Sequence, residues 1–424
     1  MFSHRVLAAL LCLVVAGYLL PFDVRLFGFL LRSGDVAAAL LGLLGVGTII
    51  LRKRLTIPAK IGLLYALIAL FVYRAVNGLL LAPTLIGLRE LIHLTEFTVI
   101  TWLLALYTSR PSDSRRLARN LGFTFLFLAV LTAAYSIAQG NFTDFKSAGE
   151  LKYSFGLACL YPVAAAFAKG GLKQTGYAVL ALVAVVLMVL SGERKSWVGL
   201  GAGLVATVWI LHKRRGATPD TDEQISTRWI LLGGGALVAV AVYAASQTEL
   251  GRYMGTTMLE YPRYLVESLR AGEVQTEGLQ RDETRLYLNF FTIQQVQENP
   301  LFGTGSGTWS DVVPAVLGTE EDPGAHSEVR RYAVENGLTG LGLYLLVCGL
   351  LLRQVSRYLK SQVSTLSIFM VLLTVYALVV NLFLGGGGFN ILLLVLPVGW
   401  ALGSAMHRRL AGAPDAPSPP PDSP

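Results

Sequence analysis

Charge is what this 424-residue sequence has least of: 15% of its residues are Asp, Glu, Lys or Arg, against 54% hydrophobic. An ordinary soluble domain carries about 25% charged residues. So little polar material excludes a globule whose main solvent is water. Cysteine is scarce as well. Cys12, Cys159 and Cys348 all fall in apolar stretches, which excludes a disulfide framework and leaves three small hydrophobes.

What is present is a series of apolar blocks. Charge-poor cores run from Val6 to Leu20, Val36 to Leu51, Ile61 to Tyr73, Leu91 to Tyr107, Leu121 to Ala138 and Tyr153 to Ala168. Six more run from Tyr177 to Leu190, Ser196 to Leu211, Trp229 to Ala245, Gly337 to Leu352, Leu366 to Leu384 and Ile391 to Met406. Several fall short of the roughly 20 residues a span needs, but their flanks supply Gly, Thr, Tyr and Trp suited to the interface. The expectation is an all-α, polytopic membrane protein with about twelve transmembrane helices. The first block follows His4 and Arg5 as a signal peptide would. No small-residue cleavage site follows, and Pro21-Phe22-Asp23 is a poor one, so the block reads as a span.

Loop charges then predict orientation. The N-terminus, 52–60, 108–120, 169–176, 212–228, 353–364 and the C-terminal tail hold 20 Lys/Arg and 6 Asp/Glu, leaving 15 and 21 elsewhere. Basic loops stay inside, so both termini are expected in the cytoplasm and the other set of loops is expected to face out. The net charge of +8 is thereby explained by topology and gives no reason to invoke nucleic acid. The domains expected are helices 1 to 9 over 1–245, a large periplasmic loop over 246–336, helices 10 to 12 over 337–406, and a Pro-rich disordered cytoplasmic tail over 407–424.

The periplasmic loop carries helical patterns. Thr284 to Gln297 places Leu286, Phe290 and Ile293 on one face, bordered by Tyr287 and Phe291, as in an amphipathic helix lying on the membrane surface. Tyr253 to Leu269 is similar, interrupted by Pro262. The run Gly303-Thr304-Gly305-Ser306-Gly307 is not a nucleotide-binding loop, because no strand-turn-helix unit surrounds it. Its glycines suit a tight turn, or backbone amides that approach an anion.

Of five histidines, His4, His212 and His407 fall at cytoplasmic flanks. Arg89, His93 and Glu96 share one face of the fourth span, a ladder that either pairs structurally or lines a substrate cavity. His326 lies in the outer loop just before a helical pattern that Ser327 would cap. The positive end of that helix disfavours imidazolium, leaving a neutral ring able to take a proton from a hydroxyl; the alternative is an ordinary surface histidine. Arg194 and Lys195 occupy a short outer turn, Arg281 and Arg285 are spaced i, i+4, and Arg330 and Arg331 follow His326 by one turn. They are headgroup anchors or ligands for phosphate oxygens. Asp220 and Asp222 belong to a solvated cytoplasmic loop, and a metal at Glu320-Glu321-Asp322 is the lesser reading. No metal or other cofactor is expected.

The turn Ser191-Gly192-Glu193-Arg194-Lys195-Ser196-Trp197, then Arg285 with Asn299-Pro300-Leu301-Phe302-Gly303-Thr304-Gly305, then His326 with Glu335-Asn336-Gly337 and Gly340, resemble the O-antigen ligase family and its polymerase relatives. That family is similar to the membrane-embedded (GT-C-like) glycosyltransferases, and its ligases are metal-independent. The resemblance implies an undecaprenyl-pyrophosphate-linked glycan as donor and a lipid A-core oligosaccharide as acceptor. It implies that Arg194 and Arg285 hold the pyrophosphate and that His326 activates the acceptor hydroxyl. One segment departs from the family pattern: Ser147-Ala148-Gly149-Glu150-Leu151-Lys152-Tyr153 lacks the Gly-x-Pro-Asn type sequence, though Lys146 and Lys152 add charge there. The leading expectation is a glycan ligase at the periplasmic face. Its rivals are a polymerase using the same donor, a protein-glycosylating transferase, and a lipid-linked-glycan flippase or exporter.

Overall fold

The structure is a computed structural model. It describes residues 4–19, 23–26, 29–32, 36–43, 61–138, 153–168, 171–191, 194–215, 263–274, 283–317, 327–361, 363–383 and 388–412. In order these form α1 (His4–Leu19), strands β1 (Asp23–Leu26) and β2 (Phe29–Arg32), α2 (36–43), α3 (Gly62–Leu81), α4 (Thr84–Thr108) and α5 (Pro111–Ala138). Then come α6 (Tyr153–Ala168), α7 (Gly171–Leu190), α8 (Arg194–Arg215), α9 (263–271) and α10 (Glu283–Glu298). The chain continues through α11 (Trp309–Leu317), α12 (Glu328–Ser361), α13 (Thr365–Phe383) and α14 (Gly388–Gly412).

Among the described residues the fold is helical except for one antiparallel hairpin, in which Asp23 pairs with Arg32 and Leu26 with Phe29. That hairpin was not expected from the sequence. Six of the described helices are long and apolar enough to cross a membrane: α3, α4, α5, α7, α12 and α13. The shorter apolar stretches Tyr153–Ala168 and Leu394–Met406 accompany them. The ninth expected span, Trp229 to Ala245, lies outside the described residues, as do 44–51 of the second.

Helix ends follow local chemistry. α3 runs eight residues beyond the expected Tyr73 and stops where Pro83 disfavours helix for the residue before it. Pro83 then leads into α4, its carbonyl accepting from the Ile86 N–H at 2.9 Å. α13 opens on a reciprocal box: Ser364 N–H donates to Ser367 Oγ at 2.8 Å, and Ser367 N–H to Ser364 Oγ at 3.2 Å.

Burial separates centre from periphery. In α13, 72% of the apolar window lies inside the protein, against 22% in α7. α13 therefore sits at the centre, packed on α6, α8, α12 and α14, while the outward Leu80, Phe127 and Val205 are exposed as lipid-facing side chains are. Dispersion, close packing and satisfied polar groups hold such helices together, since lipid is as apolar as leucine. Trp400 Nε1, for example, donates to Ser114 Oγ at 3.1 Å, and Ser114 Oγ donates to the Thr108 carbonyl at 2.8 Å.

One expectation about residues 284–297 changes. The helix expected over Thr284 to Gln297 forms as α10, but its apolar side chains face protein. Leu286, Leu288, Phe290 and Phe291 are buried, and Leu288 and Phe291 cluster with Trp309 and Val313 of α11 and Val334 of α12. Protein covers the centre of that face, while Ile293 is half-buried and Tyr287 at its border is exposed. The helix entering the tenth span begins at Glu328 and continues to Ser361, with one break at Gly337, where φ is 61° and ψ is −168°.

Candidate functional site

The glycine-rich segment is a tight turn held from three sides. Gly303, Gly305 and Gly307 have φ of 71°, 109° and 88°, the region that favours glycine. The turn lies against the broken start of α12. Thr304 N–H donates to the Val334 carbonyl and Gly305 N–H to the Glu335 carbonyl, both at 2.9 Å, while Leu338 N–H donates to the Pro300 carbonyl at 2.8 Å. The approach leaves no room for a side chain at Gly337: a Cβ there would stand 2.7 Å from the Phe302 nitrogen. Glu335 completes the clamp. Its carboxylate accepts from Trp309 N–H at 3.1 Å and from Arg331 Nε–H at 3.3 Å. Of the two uses open to the glycine run, the structure supports the turn: the amides of 304, 305, 308 and 309 are engaged with protein.

α3 supplies the floor. Tyr73 Oη donates to the Asn336 carbonyl at 2.7 Å, and Asn77 Nδ2 donates to the Phe302 carbonyl at 2.7 Å. Ser306 Oγ lies 2.5 Å from Asn336 Oδ1 and 3.1 Å from Asn77 Oδ1. One hydroxyl proton serves one of these acceptors. Exchanging the oxygen and nitrogen of the Asn336 amide satisfies both contacts, with Asn336 donating to Ser306 and Ser306 to Asn77. Beneath them Arg74, 1% exposed, pairs with Glu90 of α4, and its Nη1 donates to Tyr332 Oη of α12 at 2.8 Å. Tyr332 stacks on Tyr344 with ring centroids 4.4 Å apart. Arg331 is buried between Glu328 at 3.6 Å and Glu335 at 3.3 Å. Buried charges survive in such surroundings only when paired.

The expected site residues separate accordingly. Arg331 spends its guanidinium on two carboxylates of its own helix. Arg330, half-buried, donates from Nη2 to Asn289 Oδ1 of α10 at 2.5 Å. Arg194 and Lys195 begin α8, where Lys195 is half-buried, and Arg285 lies in the first turn of α10. The side chains of Arg194 and Arg285 lie outside the described residues, as do Arg281, His326, Lys146, Lys152, Asp220, Asp222 and Glu320 to Asp322. The Arg89, His93 and Glu96 ladder divides: Arg89 is exposed, while His93 Nδ1 sits 3.6 Å from Glu96 and its ring stacks on Phe97. Among the described residues no group of three or more His, Cys, Asp or Glu is placed to hold a metal ion.

Sequence reasoning missed the junction of Arg74, Asn77, Glu90, Ser306 and Tyr332. One signal was available. An arginine directly after an apolar core, facing a carboxylate one hairpin later, is costly unless the two meet.

The fold and its apolar helices define a polytopic helical membrane protein. Residues 179–345 match the family model described as O-antigen ligase. The family takes in membrane enzymes of two kinds, ligases and polymerases. The matched stretch runs from α7 into α12 and contains the glycine turn, the Glu335 clamp and Arg194, Arg281, Arg285, Arg330 and Arg331. Arg74 and Glu90 lie outside it. No curated protein matches the sequence.

Proposed function

We propose that this protein is a glycosyltransferase that moves an undecaprenyl-pyrophosphate-linked polysaccharide onto lipid A-core oligosaccharide at the periplasmic face of the inner membrane, with both termini cytoplasmic. The observation that carries this reading is the family match over 179–345, the stretch that also holds Arg194, Arg285 and His326. In the reaction an acceptor hydroxyl attacks the anomeric carbon of the donor. The new glycosidic bond forms as the bond to pyrophosphate breaks, and undecaprenyl pyrophosphate leaves. His326 takes the hydroxyl proton, and Arg194 and Arg285 stabilise the charge gathering on the leaving group, assisted by Lys195, Arg281 and Arg330. The chemistry asks for no metal. Arg331, balanced by Glu328 and Glu335, is structural in this scheme, and the turn at 299–308 fixes α10 relative to α12.

The test incubates the purified protein with undecaprenyl-pyrophosphate glycan and lipid A-core and follows the product by gel mobility. Transfer that collapses in both His326→Ala and Arg194→Ala supports the reading; full transfer in both overturns it. Because the family includes polymerases, product lengthening without lipid A-core would assign the second kind of enzyme. Glycan movement across vesicles without transfer to any acceptor would assign transport. Loss of transfer on chelation would restore the metal reading.

A further inference from the structure

The cationic turn at Arg194 and Lys195 opens α8, and two neutral anchors hold that helix's first turn. Trp197 Nε1 reaches back to the Met188 carbonyl near the end of α7 at 3.0 Å. Ser196 Oγ meets Tyr376 Oη of α13 at 2.9 Å, and Tyr376 Oη is also 3.5 Å from the Tyr153 carbonyl at the start of α6. Ser196 and Tyr376 are both wholly buried. The phenol reaches Ser196 only because glycines clear its path. A Cβ on Gly199 of α8 would stand 2.8 Å from the Tyr376 ring, and a Cβ on Gly156 of α6 would strike the hydroxyl itself. Three helices thus converge on one hydroxyl, on the residue next to Lys195. Phenylalanine would serve the packing as well; the hydroxyl is what the packing alone leaves unexplained.

We propose that Tyr376 is a positioning residue: through Ser196 it fixes the first turn of α8, and so the placement of Arg194 and Lys195 toward the donor's pyrophosphate. This rests on the reading of the donor given above. A guanidinium fork recognises phosphate oxygens over a narrow range of angles. A helix end free to shift by a fraction of an ångström would leave the fold intact and weaken that recognition.

The test uses the full-length protein in detergent or nanodiscs and compares wild type, Tyr376→Phe, Ser196→Ala and the double variant. Hydrogen exchange over residues 194–200 reads the hold on the turn without any substrate. Binding of undecaprenyl pyrophosphate, and transfer kinetics, read its consequence. Tyr376→Phe should speed exchange in that segment about fivefold and raise the apparent KM for donor about five- to tenfold, with kcat and apparent Tm little changed. Ser196→Ala should do the same, and the double variant no more than either. Unchanged exchange overturns the proposal. So does faster exchange with donor binding and transfer intact, or a fall in apparent Tm with exchange rising everywhere, since either would make the hydroxyl merely structural. If wild type binds no undecaprenyl pyrophosphate, the donor reading fails and the positioning role falls with it. The exchange result still shows whether Tyr376 holds the turn.

Discussion

Two junctions hold the family-matched region in the bundle, and they use different chemistry. At the start of α8 the contacts are neutral: a serine, a tyrosine and a tryptophan pack between glycines. At the glycine turn, neutral hydrogen bonds from Tyr73, Asn77 and Ser306 are joined by charged contacts, Arg74 on Glu90 and Arg331 between Glu328 and Glu335. The difference teaches which junction can yield. Removing one member of a buried ion pair strands its partner's charge, whereas removing a hydroxyl costs one hydrogen bond. The charged junction is therefore the rigid frame, and the neutral one is where small changes can adjust the cationic turn without unfolding the protein.

The sharpest way to break this comparison is at the turn's backbone. Gly337→Val places a branched residue at a φ of 61° and against the Leu301 and Phe302 backbone. It should cost about 4 kcal/mol or more, seen as failure to recover monodisperse protein. Next, Arg74→Met should destabilise by about 3–5 kcal/mol by leaving Glu90 unpaired, read as a large fall in apparent Tm. Arg74→Met with Glu90→Met should regain much of that loss; a double variant worse than the single would show that the pair is not what holds α3 to α4.

Smaller effects test the hydrogen bonds. Ser306→Ala removes the hydroxyl between Asn77 and Asn336 and should cost about 1–2 kcal/mol, measured by the same unfolding. Tyr376→Phe should fall below about 1 kcal/mol in stability while still raising donor KM. A Tyr376→Phe protein as unstable as Ser306→Ala would erase the contrast between the two junctions.

Much of the helical layout was legible in residue chemistry. Charge-poor blocks such as Leu366 to Leu384 became α13 with ends displaced by little, because a run with no charge and few breakers has no competing structure. The helix at Thr284 to Gln297 was legible too, but its environment was not: periodicity shows that a face is apolar without saying whether lipid or protein covers it. At the site, the glycine run was readable as a tight turn or as amides approaching an anion, and only packing against α12 chose the turn. The hairpin at Asp23–Arg32 and the end of α3 at Leu81 were not readable, because four-residue strands carry little pattern and Arg74 resembled a boundary.

By itself the sequence determined an apolar helical membrane protein, and its stretch 179–345 matches the O-antigen ligase family model, because solvent preference and local conformation are written residue by residue. Pairing is not. That Arg74 answers Glu90 and Tyr332, that Glu335 clamps the glycine turn, and that Tyr376 meets Ser196 from 180 positions away were decided only when distant helices packed. A buried polar group is stable with whichever partner the tertiary fold brings within hydrogen-bonding distance, and no local pattern specifies that partner.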